Sequence, residues 1–159
     1  RDYFRKAALD ALLAEKLPVT VFGEGWGKYS CGDEHSLRRE PAVPFALSFE
    51  RIAKAHVLLN VSPIFNRGMH DRVPAGMANH AVVLTDENPY LRRTFTDGKE
   101  LLFYSLEKPD TLCEQAERAL TDVRLREKIA ASAYETFERE YTWKRRAEQI
   151  LAFAEEVEA

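Results

Sequence analysis

The chain has no apolar run near the roughly 18 residues that a membrane span needs, and no basic-then-apolar targeting pattern opens it. It therefore reads as a soluble, cytoplasmic protein. Cysteine is scarce: Cys31 lies in a polar stretch and Cys113 in a helical one, which argues for reduced thiols rather than a disulfide framework. No charge sign dominates either. Lys plus Arg number 23 against 26 for Asp plus Glu, a formal net charge of -3, and such a surface sets up no field to collect nucleic acid or anionic membrane. Paired His or Cys at metal-ligand spacing and the Asp-x-Asp pattern are both missing, so no metal and no resident cofactor is expected. No Ser-His-Asp order stands out for nucleophilic catalysis. Internal repeats, low-complexity tracts and linkers are absent too.

What is present is enough for one domain spanning residues 1–159, since 159 residues at 45% hydrophobic can bury a proper core. A helix is expected over 1–17, with Phe4, Ala8, Leu9, Leu12 and Leu13 on one face. Four apolar, β-branched runs read as strands: Val19 to Phe22, His56 to Val61, Ala81 to Leu84 and Leu101 to Tyr104. A further short strand is expected near Val43. Ser48 is placed as the cap of a helix running to Ala55, and a helix is expected from about His70 to Ala78, with Pro74 in its first turns. Further helices are expected from Asn88-Pro89 to Phe95, Pro109 to Leu120, Val123 to Glu140 and Trp143 to Val157. Unbroken apolar strands alternating with helices indicate an open parallel α/β sheet covered on both faces, followed by a helical C-terminus.

In such sheets ligands bind beyond the carboxyl ends of the strands. The first strand runs into Gly23-Glu24-Gly25-Trp26-Gly27, where glycines would let backbone approach a ligand and Trp26 would stack on a planar base. The same spacing also suits a tight turn with a packed tryptophan. After the second strand, Asn66-Arg67-Gly68-Met69-His70-Asp71-Arg72 gathers two arginines and a histidine at the start of a helix, an arrangement fit to hold a diphosphate. It is equally the pattern of a capped helix with surface charges. Asp71 would cap the helix, pair with Arg72 or accept from a sugar or ribose hydroxyl. Asp86 is the best-placed lone carboxylate, and Thr85-Asp86 would also serve as a helix cap. His35, His56 and His80 read as structural, and Trp143, Arg145 and Arg146 as packing plus a solvated face.

A longer order of pieces carries a resemblance. Leu59-Asn60-Val61-Ser62-Pro63 leads to His70-Asp71-Arg72-Val73, Met77-Ala78 and Ala81-Val82-Val83-Leu84-Thr85-Asp86. Phe95-Thr96-Asp97-Gly98-Lys99-Glu100-Leu101-Leu102-Phe103-Tyr104 follows, then Ile129-Ala130 and Tyr141-Thr142-Trp143 with Arg146. With Phe22-Gly23-Glu24-Gly25-Trp26, this resembles the C-terminal domain of bacterial group 1 glycosyltransferases, in particular the branch similar to spore-maturation protein CgeB. The resemblance implies the C-terminal half of a GT-B fold, a Rossmann-like domain that holds a nucleoside diphosphate sugar while an N-terminal domain holds the acceptor. The mechanism expected on that basis is metal-independent transfer, with Arg72 and the helix N-terminus offsetting charge on the leaving diphosphate and His70 donating a hydrogen bond to a phosphate or sugar oxygen. Gly23, Gly25, Trp26, Arg67, Gly68, Asp71 and Asp86 would border the donor. The family motif Arg-x-Phe-Glu-Ala-Met-Ala-x-Gly departs here, because Ala75 stands where the glutamate would be and His80 where the glycine would be. The acceptor stays open, as does a non-catalytic role as a binding or interaction module. A fragment lacking the strand that opens such a domain is expected to associate with other copies or to cover the exposed strand edge with another segment.

Overall fold

Val82-Val83-Leu84-Thr85-Asp86 is buried at every residue, and the fold is arranged around it. The computed structural model describes residues 2–65 and 67–158 of the chain. Residue 1 of the expected first helix and Asn66 of the basic loop thus lie outside the described residues. The elements run α1 (Asp2–Ala14), β1 (Val19–Phe22), β2 (Leu37–Glu40), α2 (Phe45–Ala53), β3 (Val57–Asn60), α3 (Arg72–Ala78) and β4 (Val82–Asp86), then α4 (Pro89–Thr94), β5 (Leu102–Tyr104), α5 (Pro109–Thr121), α6 (Val123–Glu140) and α7 (Trp143–Glu158).

All strand pairings are parallel, and they fall in two sheets: β3-β4-β5, and β1-β2. Alternation along the strands sorts side chains to two sides, as the period of two requires. Val82, Leu84, Leu102 and Tyr104 pack with Ala8 and Leu12 of α1 and with Leu112, Ala116 and Ala119 of α5. Val83, Leu101 and Phe103 point the other way, onto Val73 and Met77 of α3, Leu91 and Phe95 near α4, and Ala133 of α6. The helix α6 serves both layers, because Ile129 and Ala130 join the first cluster and Ala133 the second. A third cluster seats Leu9 and Leu13 of α1 on Val21, Tyr29 and Leu37, so α1 ties the small sheet to the large one. Val19 of β1 and Val57 and Leu59 of β3 pack against the same core, yet β1 is laddered only to β2 and β3 only to β4.

Two expected elements are corrected. The extra strand lies at Leu37–Glu40, not near Val43; Leu37 is its one buried residue, and its three charged or polar neighbours gave no apolar signal. The helix α2 begins at Phe45 after Pro44, so Ser48 is inside it and donates its hydroxyl to the Phe45 carbonyl at 2.6 Å instead of capping. Proline just before the first turn supplies the start, as its fixed φ favours.

Two local features set how α3 meets the sheet. A Cβ built on Gly76 would come within 2.4 Å of Val83 Cγ2 and 3.1 Å of Leu58 Cδ2, so glycine is what lets the helix lie on β3 and β4. Beyond the helix, His80 has a φ of 57°, in the left-handed region, at the position where the family motif carries glycine. Its ring stacks on Tyr134 of α6 at 4.2 Å between centroids, a contact that offsets part of a backbone cost of about 1–2 kcal/mol. Outside this core, α7 leaves Trp143, Ile150, Leu151 and Phe153 exposed.

Gly76→Ala should destabilise the fold by about 1–2 kcal/mol in urea denaturation, because a stiff, fully buried Val83 cannot yield and overpacking outweighs the gain in helix propensity. Gly25→Ala, where an added Cβ meets nothing within 4 Å, is the matched control and should change stability by less than about 0.5 kcal/mol. Equal stability of the two variants would contradict this packing.

Candidate functional site

The carboxyl ends of β3, β4 and β5 bring together polar side chains in a place where apolar ones would pack as well. Asn60 is 1% exposed and Thr85 0%. Asn60 Nδ2 donates to Thr85 Oγ1 at 3.0 Å, and Thr85 Oγ1 donates to the Asp86 carbonyl at 3.2 Å. Asn60 Oδ1 accepts from Ser62 Oγ at 3.2 Å and from Arg72 Nη1 at 3.3 Å. Tyr104 OH donates to the Asn60 carbonyl at 3.1 Å, and the Asp86 carboxylate accepts the Ser62 N–H at 2.7 Å. Buried polar groups persist only when paired in this way.

Arg72 opens α3 half-buried, its guanidinium drawn to the strand ends by Asn60. The helix start itself gives less than an N-terminus usually would. The Arg72 N–H goes to His70 Nδ1 at 3.3 Å, the Val73 N–H to the His70 carbonyl and the Ala75 N–H to the Asp71 carbonyl, while Pro74 has no N–H. Positive charge at this point therefore comes from the arginine side chain. His70 Nδ1 also contacts the exposed Asp71 carboxylate. A neutral ring with its hydrogen on Nε2 accepts from the Arg72 N–H through Nδ1, whereas a ring with hydrogen on Nδ1, neutral or protonated, pairs with Asp71 through that atom. Asp71 makes no side-chain cap to the helix.

The loop before α3 is held by Asn88, whose Nδ2 donates to the Phe65 carbonyl at 2.6 Å and the Gly68 carbonyl at 3.3 Å while its Oδ1 caps α4 at Leu91. Arg67 is exposed on this loop. Asp86 is 3% exposed and turned to Ser62. Burial pushes its carboxyl above the usual range, against the Ser62 N–H, which pulls it down. Tyr104 is pushed up as well, by burial first and by the Asp86 charge second.

The glycine turn belongs to the small sheet. Gly23 has a φ of 117° and leads into a 3-10 turn, Glu24–Lys28, that holds Gly25 and Trp26. Trp26 packs edge-on against Tyr29, at 5.9 Å between centroids, and against the α1–β1 cluster, which leaves less of its face for a base. Arg39 of β2 fastens the turn: Nε reaches the Trp26 carbonyl at 3.2 Å, Nη2 the Tyr29 carbonyl at 2.8 Å and Nη1 the Glu34 carboxylate at 2.5 Å. That pairing holds the Glu34 carboxyl down at about 2. Among the described residues, no group of three or more His, Cys, Asp or Glu is placed to hold a metal ion, and no helix is long and apolar enough to cross a membrane. The structure thus brings His70, Asp71 and Arg72 together and joins them through Asn60 and Ser62 to Asp86. Asn60, Ser62 and Arg39 are not among the expected site residues and Thr85 is expected only as a helix cap, although a polar residue at the end of each of two adjacent apolar strands is a signal that would have found Asn60 and Thr85.

This parallel α/β architecture is that of a GT-B glycosyltransferase domain, matching solved structures across most of the chain. The Anabaena protein HepE in complex with UDP-glucose aligns at a TM-score of 0.76 and 11% identity, over 94% of this chain and 44% of that one. A glycosyltransferase from Rickettsia africae aligns at 0.76 and 11%, over 98% and 44%. The C-terminal domain of a group 1 family glycosyl transferase, LpcC, from Francisella tularensis aligns at 0.58 and 12%, over 87% and 80%. The chain thus spans less than half the length of the HepE and Rickettsia proteins. No curated protein matches it in sequence. The family model described as glycosyl transferase-like matches residues 2–152, and the chain belongs to that family.

The state of Asp86 has a measurable sign. Its folded pKa lies above the ordinary 3.8, so between the two values the folded state binds more protons than the unfolded. The stability it contributes is full below the unfolded value and is lost as pH rises through the folded one. Asp86→Asn keeps an acceptor for Ser62 and removes that loss. Urea midpoints from about pH 4 upward should therefore fall less steeply in the variant than in the wild type; identical slopes would contradict the burial account.

Proposed function

We propose that this chain is the donor-binding, C-terminal domain of a group 1 glycosyltransferase of the CgeB-like branch, holding a nucleoside diphosphate sugar without a metal ion. The observation that carries the reading is the Arg72 guanidinium, held by a buried amide at the carboxyl ends of β3 and β4. Ligands of open parallel sheets bind at such a place. An arginine fork matches diphosphate oxygens, and its charge would offset the negative charge that grows on the leaving diphosphate as the sugar departs. His70 would add a hydrogen bond to a phosphate or sugar oxygen through Nε2 when that nitrogen carries the hydrogen. Arg67 on the neighbouring loop adds a second cation for the same anion. HepE, with the same fold, was solved with UDP-glucose, which makes a uridine nucleotide the first to test. The Gly23 to Trp26 turn would border the base by its backbone, and Asp71 would meet a hydroxyl. The acceptor, and any catalytic base an inverting reaction needs, would lie on another domain.

A non-catalytic binding module is the second reading. It is favoured by Ala75, which puts a methyl group where the family motif carries a glutamate. The two readings part on turnover by the full-length protein, since both allow nucleotide binding.

UDP at about 100 times its dissociation constant should stabilise the chain by roughly 2.7 kcal/mol, read as a thermal shift. Arg72→Ala should weaken UDP binding about tenfold or more, as loss of a hydrogen bond to a charged group does. Equal affinity in wild type and variant would sink the assignment. Binding should persist in EDTA; loss in chelator and recovery with magnesium would overturn the metal-independent reading.

A further inference from the structure

We propose that Asn60 is the positioning residue that aims the Arg72 guanidinium, with Thr85 deciding which way the Asn60 amide faces. This rests on the donor-site reading and extends it to residues that no ligand need touch. The reasoning begins with one proton. The Thr85 hydroxyl has a single hydrogen, directed to the Asp86 carbonyl at 3.2 Å, so towards Asn60 at 3.0 Å it presents a lone pair. A lone pair requires the amide nitrogen opposite it. The amide oxygen is then turned to the other side, where Ser62 Oγ at 3.2 Å and Arg72 Nη1 at 3.3 Å both donate to it.

The frame around the amide is rigid. Asn60 is 1% exposed at the end of β3 and is paired to Thr85 in the ladder with β4. Its carbonyl takes the Tyr104 hydroxyl from β5 at 3.1 Å. Three adjacent strands therefore locate one amide oxygen, and that oxygen locates an arginine from a different element. A flipped amide would set an N–H against the Arg72 and Ser62 donors and lose both of these bonds. An arginine held in advance loses less rotamer freedom when it meets an anion than a freely moving one. Because the amide is neutral, it directs the guanidinium without cancelling its charge.

The test uses the whole chain with Thr85→Val, Thr85→Ser and Asn60→Asp, and two readouts. The first is the side-chain NMR signal of the Arg72 guanidinium without ligand; the second is the affinity for UDP against that for uridine. In Thr85→Val, which keeps the volume but removes the lone pair, the Arg72 signal should shift and broaden. UDP should bind about five- to tenfold more weakly and uridine within about twofold of wild type. Thr85→Ser should restore both readouts. Asn60→Asp places a carboxylate where the amide oxygen was; the Arg72 signal should stay sharp while UDP weakens about tenfold or more, because the added negative charge beside the guanidinium repels the diphosphate. An Arg72 signal unchanged in Thr85→Val, or equal losses in the Val and Ser variants, would overturn the proposal. If Thr85→Val disorders the Arg72 signal and Thr85→Ser restores it while wild type binds no UDP, positioning stands and the donor-site reading fails.

Discussion

A buried amide between two strands is the constraint on which the arrangement of the strand ends depends. The interior at β3 and β4 is apolar along Val57, Leu58 and Leu59 and along Val82, Val83 and Leu84, and then turns polar at the last step, at Asn60 and at Thr85 with Asp86. Burying such groups costs free energy unless each finds a partner, and here the partners are one another together with Ser62, Tyr104 and Arg72. The strand ends, the loop after β3 and the start of α3 are thereby fixed as one unit.

The rest of the fold can be seen as support for that unit. Gly76 lets α3 lie close on β3 and β4, which brings Arg72 at the helix start over the strand ends. His80 turns the chain back into β4 in a left-handed conformation and is braced by Tyr134. Asn88 ties the Phe65 and Gly68 carbonyls to the start of α4. Behind the sheet, α5 and α6 supply the buried Leu112, Ala116, Ala119 and Ile129 that keep the strands in register. The second sheet stands beside this body, joined through α1, and Arg39 stiffens its glycine turn from within.

Much of this was legible in the sequence, and the misses have physical causes. Strands β1 and β4 and helices α5 and α6 announce themselves through unbroken apolar runs or a clear helical period, and the bounds of α6, Val123 to Glu140, coincide with the reading. Strand β2 went unread because Leu-Arg-Arg-Glu at an edge buries one side chain, which is too little for a pattern. Residues 70–72 stood out because charge gathered at the start of a helix is conspicuous. Asn60 was visible only as a polar residue ending an apolar strand; that it is bonded on several sides at once is a property of three-dimensional neighbours. Trp26 suited both a stacking face and a packed turn in the sequence, and its contacts with Tyr29 and the α1–β1 cluster fit the packed turn.

The central claim is that a nucleoside diphosphate sits against Arg72 at the carboxyl ends of β3 and β4. Backbone amide NMR shifts during a UDP titration test it most directly. The account predicts the largest changes at Ser62, Gly68 to Val73, and Thr85 to Glu87, with smaller ones at Gly23 to Trp26. Saturable shifts confined to α7 or to the small sheet, or no shifts at millimolar UDP, would contradict it.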